Sequence, residues 1–75
     1  MLKEKYQPVS ISTPYITLGQ LLKYLSIIDN GSMAKYFLND NEVFVNDCIT
    51  VSRGKKLYPG DKININNSLF FEITK

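Results

Sequence analysis

The sequence contains no histidine, no tryptophan and a single cysteine, Cys48. Without histidine, no side chain titrates near neutrality by default, so general-base work has no ready candidate. A lone thiol cannot close an internal disulfide, and it lacks the histidine that would make it a nucleophile. The Cys/His set that holds structural zinc is also missing. Cys48 therefore reads as a packing or partly exposed thiol at the start of a strand. Carboxylates are present, but no spacing pairs two of them as acid and base. Neither Gly-x-Gly-x-x-Gly nor a phosphate-loop pattern occurs. The expectation is a protein that is not an enzyme, with no cofactor and no metal. No apolar run reaches 18 residues, and the opening Met1 to Tyr6 has no signal-peptide core. A cytoplasmic protein with no membrane partner is expected. No internal repeat or low-complexity segment appears.

What is present is a 75-residue chain that is 44% hydrophobic, with five tyrosines and four phenylalanines. That suffices for one compact domain, residues 1–75, built on an economical core. The net charge of +2 is too small to name a partner, but its distribution is uneven. Arg53, Lys55 and Lys56 fall together with no acid among them, whereas Asp29, Asp40, Glu42 and Asp47 are scattered. A local basic cluster on a nearly neutral chain fits local anion contact better than a general polycation.

Residues 1–14 read as an extended lead-in. Val9, Ile11 and Thr13 alternate with serines, and Pro8 and Pro14 exclude a helix. Pro8 suits an edge strand. Thr17 then offers an N-cap, and Gln20 completes a capping-box spacing. Leu18, Leu21, Leu22, Leu25 and Ile28 form one helical stripe, which Asp29-Asn30-Gly31 is expected to end. Ser32 reads as the cap of a second helix running from Met33 to about Asn39. Met33, Ala34, Phe37 and Leu38 form its inner face. Tyr24 and Tyr36 read as hydrophobic cover. After Asn39 the period returns to two. Val43 to Val51 reads as a hairpin turning at Asn46-Asp47, where Asn46 takes a positive φ at little cost. Ser52 to Lys56 is a basic loop, and Tyr58-Pro59-Gly60-Asp61 carries type II turn chemistry. Lys62 to Ile65 and Leu69 to Ile73 are strands, with Ile63/Ile65 and Leu69/Phe71/Ile73 each on one face. The fold class expected is α+β, two packed helices against a small, mainly antiparallel sheet.

Two places are candidates for anion contact. Gly54 lets the backbone of the Arg53-Gly54-Lys55-Lys56 loop approach closely, and its cations suit phosphates. Ser32 with Lys35 sits where a helix start offers backbone N–H groups. Taken in order, Thr17-Leu18-Gly19-Gln20-Leu21-Leu22-Lys23, Gly31-Ser32-Met33-Ala34-Lys35-Tyr36-Phe37-Leu38, Val43-Phe44-Val45-Asn46 and Arg53 to Ile63 resemble the S-four RNA-binding domain, or alpha-L motif. The chain is most similar to its short, stand-alone YaaA-like bacterial branch. The resemblance spans residues 15–66 as motif core, with 67–75 as a C-terminal strand.

The resemblance implies an L-shaped surface of two helices and a β-loop that grips structured RNA. The matching positions are Thr17, Gln20 and Lys23 on the first helix, Ser32 and Lys35 at the second, and Arg53, Lys55 and Lys56 in the loop. Val45-Asn46 and Pro59-Gly60-Asp61 match its structural corners. Asp47 stands where a glycine is usual, and Ser52 where a further arginine is common. The function implied is binding of ribosomal RNA or a ribosome precursor by a monomer, with ribosomal proteins as further partners. The alternative is a protein-interaction adaptor on the ribosome or nucleoprotein whose RNA surface has weakened. A β-grasp sulphur carrier is disfavoured by the Ile73-Thr74-Lys75 ending.

Overall fold

Hydrophobic periodicity accounts for most elements of the computed structural model, which describes residues 6–75. The part of the lead-in before residue 6 lies outside the described residues. Strand β1 is Gln7–Ser10 and β2 is Ile16–Thr17. Helix α1 is Leu18–Tyr24, and a 3-10 turn at Gly31–Met33 runs into helix α2, Ala34–Asp40. Then come β3 Val43–Val45, β4 Cys48–Ile49, β5 Lys56–Leu57, β6 Lys62–Ile65 and β7 Leu69–Thr74. Five strands form one sheet in the order β1-β7-β6-β3-β4, while β2 and β5 pair separately. The class is α+β, as expected.

The core is one cluster that joins both helices to the inner face of the sheet. Leu18, Leu21 and Leu22 of α1 and Ala34 and Leu38 of α2 meet Val43, Val45, Ile63, Ile65, Phe71 and Ile73. Burying each large aliphatic side chain contributes about 1.5–3 kcal/mol, so these few positions carry most of the folding drive. Leu57 of β5 is also fully buried, which anchors the small second sheet to the core.

Several details depart from the sequence reading. All pairings in the larger sheet are antiparallel except β1 with β7, which is parallel. Helix α1 ends at Tyr24, well before Asp29-Asn30-Gly31. Ser26 takes φ 61°, its N–H donates to the Lys23 carbonyl, and Ile27 N–H donates to the Leu22 carbonyl. This is a Schellman ending with serine in place of glycine, and Ile27 packs against the core. The second helical segment is capped by Asn30, whose Oδ1 accepts from Ser32 N–H, so Ser32 lies inside the first turn. Met33 is 41% exposed, and Tyr24 and Tyr36 are each 66% exposed, so none of the three serves as cover. Leu69 begins its strand outside the core, and Cys48 is exposed.

The turns follow their chemistry. Asn46 and Asp47 adopt φ 52° and 69°, the pair of positive values a two-residue hairpin needs. Gly60 takes φ 101°, and Asp61 N–H donates to the Tyr58 carbonyl at 2.9 Å. The two corners are tied to each other: Asn46 Nδ2 donates to Asp61 Oδ1 at 3.0 Å, and Asp61 Oδ2 accepts from Tyr58 N–H at 2.8 Å. Asn46 Oδ1 also accepts from Lys62 N–H. Residues 15 apart in sequence thus hold the β3–β4 turn against the Pro59-Gly60 turn.

Candidate nucleic-acid interface

Helix α1 starts as its sequence dictates. Thr17 accepts from Gln20 N–H through Oγ1, and Gln20 Oε1 accepts from Thr17 N–H, a complete capping box. The threonine hydroxyl and the glutamine carbonyl oxygen are therefore engaged in holding the helix end. The next two amides, Leu18 and Gly19, donate to the carbonyls of Lys55 and Arg53 at 2.9 and 2.8 Å. Thr17 itself pairs with Lys56 across the β2–β5 ladder. The basic loop is thus laced, residue by residue, onto the first turn of α1.

Gly19 makes this approach possible. A Cβ built there would sit 3.3 Å from the Arg53 carbonyl oxygen, 3.4 Å from Arg53 Cβ and 3.6 Å from Ala34 Cβ. Helix α1, the basic loop and the start of α2 therefore meet at one residue. Its role is invisible in the sequence, where a glycine inside a helical stripe reads only as a weak position. Gly19→Val is expected to cost about 1–3 kcal/mol, because a branched side chain must push the loop carbonyl away. Denaturant titration gives the stability, and faster amide exchange at Gly19 reports the broken hydrogen bond.

Of the eight positions singled out, the structure brings Thr17, Arg53, Lys55 and Lys56 together through backbone contacts. Lys35 follows Ala34 and so stands beside the Gly19 junction, exposed. Lys23 lies one turn beyond Gly19 on α1, also exposed. Ser32 differs from its expected use: its N–H and hydroxyl both donate to Asn30 Oδ1, so neither waits for an anion.

Beside this junction opens a cleft of about 750 Å³, lined by Pro14, Tyr15, Ile16, Gln20, Lys23 and Tyr24 among others. Tyr15 packs on Tyr58 with ring centroids 5.8 Å apart, and Lys56 Nζ lies 5.0 Å from the Tyr15 centroid. The outer sheet face has its own aromatic contact, Tyr6 edge-on to Phe70 at 5.5 Å, with Lys62 Nζ 5.1 Å from the Tyr6 centroid. Among the described residues no helix is long and apolar enough to cross a membrane, and no cluster of three or more metal-ligating side chains occurs.

These features define a small α+β domain whose basic loop is seated on the N-terminus of a helix. The chain belongs to the S4 domain family, whose model matches residues 9–73. It is 48% identical over 66 residues to a Bacillus subtilis protein named as a probable ribosome maturation protein, RlbA. The match covers 88% of this chain and 93% of that protein. No solved structure matches the chain.

Proposed function

We propose that this protein is a non-catalytic RNA-binding module, acting on structured ribosomal RNA or a ribosome precursor in the cytoplasm. Residues 15–66 act as the alpha-L unit, and Lys23, Lys35, Arg53, Lys55 and Lys56 form its basic face. The observation that carries this reading is the junction at Gly19, where the basic loop is hydrogen-bonded to the start of α1 and lies against α2. Tethered cations lose less freedom on binding than cations on a loose loop. RNA helices present phosphates and 2′-hydroxyls on a regular surface, which suits a shaped cationic face. Family membership and the printed name of the Bacillus relative support the ribosomal setting. The protein works as a monomer, with ribosomal proteins as neighbours on the assembling particle.

The second reading, a protein-interaction adaptor, draws on Ile49 and Val51, which are 61% and 63% exposed at and just beyond the β4 sheet edge. Salt separates the two. Five neutralised phosphates release their condensed counterions, so binding to ribosomal RNA fragments is expected to fall with a log–log slope of about −3.5 to −4.5. An adaptor held by apolar burial shows a nearly flat response. Binding measured across a salt series decides, and a slope shallower than about −1 rejects the five-residue face.

A further inference from the structure

The cleft beside the basic loop differs chemically from a phosphate grip. Tyr24 stands 66% exposed at the end of α1, and Tyr15 is braced by Tyr58. Ile16 and Pro14 supply apolar wall, and Gln20 a side-chain amide whose nitrogen makes no hydrogen bond among the described residues. Lys23 sits on the wall and Lys56 lies over the Tyr15 ring, while no acid lines the space. Open aromatic rings, an amide donor and a rim of cations without carboxylates complement a nucleobase attached to phosphate. An acidic or apolar peptide would use the cations or the rings, but not both within one residue's reach.

We propose that this cleft binds a single unpaired base of the RNA, a purine by its larger face, stacked on Tyr24 with Tyr15 as the fixed wall. Lys23 and Lys56 meet the flanking phosphates. The proposal rests on the RNA-binding reading and adds to it: the basic face recognises a helix by shape, and the cleft selects helices that carry an extruded nucleotide. A paired base cannot enter, since it is stacked within the duplex. Recognition of bulges and loops is therefore built in, without reading of base edges along the helix.

Two RNA hairpins test it, identical except that one carries a bulged 2-aminopurine and the other an abasic nucleotide at the same place. Both have the same backbone charge, so any difference belongs to the base. The purine hairpin is expected to bind about 5- to 150-fold more tightly, the range for stacking one base on an aromatic ring. Its 2-aminopurine fluorescence should change on binding. Tyr24→Ala should erase the preference while leaving the abasic hairpin's affinity and salt slope unchanged, and Tyr24→Phe should retain it. Equal, salt-dependent binding of the two hairpins by the natural protein overturns the base site and leaves the RNA reading standing. A preference that survives both Tyr24→Ala and Tyr15→Ala overturns it as well. Binding of neither hairpin at low salt sinks the RNA reading and this site together.

Discussion

Replacing Lys55 and Lys56 together by glutamate is expected to remove binding to ribosomal RNA while leaving the fold intact. Each phosphate contact scales affinity with salt to a power near −0.9, so losing two costs on the order of 100-fold at about 0.1 M salt. The new carboxylates then repel the phosphates they face, and the net charge falls from +2 toward the negative. Stability should move little, because both side chains are exposed and the loop is held by backbone. The Lys55 carbonyl still accepts from Leu18 N–H, and the strand pairing of Lys56 with Thr17 does not involve its ammonium. The one lost side-chain contact is Lys56 over Tyr15, worth about 0.5–1 kcal/mol at an exposed site. Filter binding together with a thermal melt checks both halves. Unchanged affinity in the double variant rejects the loop as the contact surface.

Leu22→Ala is expected to have the largest effect on stability. Leu22 is fully buried, and its carbonyl also accepts the Ile27 N–H that closes the end of α1. Truncation leaves a cavity between α1 and the sheet and costs about 2–5 kcal/mol. A domain of this size is stabilised by only about 4–11 kcal/mol in total. The melting temperature should therefore drop by about 10–30 °C, at roughly 4–8 °C for each kcal/mol. A melt that does not move would place Leu22 outside the core and undo the assignment of α1.

Both variants rest on features that could be read from residues alone. The 3.6-residue stripe of Leu18, Leu21 and Leu22 marked the inner face of α1, since helical spacing leaves no other way to bury all three. The capping box of Thr17 and Gln20 was legible because it is a contact between residues three apart. The left-handed turn at Asn46-Asp47 and the type II turn at Gly60 were legible for the same reason: their requirements are local. The end of α1 was misplaced because Ser26 adopts a conformation for which glycine is the usual signal. Tyr24 and Tyr36 were misassigned because composition does not say which faces other elements leave bare.

Periodicity identifies a strand but says nothing of its partner or direction. The alternation around Val9 could not reveal that β1 lies parallel beside β7, because that pairing joins the two ends of the chain. The short β2–β5 ladder was equally hidden, as two residues are too few to carry a period. Only the folded chain put Arg53 and Ala34 against Gly19, and Asn46 against Asp61. Local physics, acting through steric preference and side-chain spacing, determined the elements, the turns and the positions of the cations. Tertiary structure decided which of these meet, because such contacts depend on how the whole core packs. No stretch of sequence encodes that packing by itself.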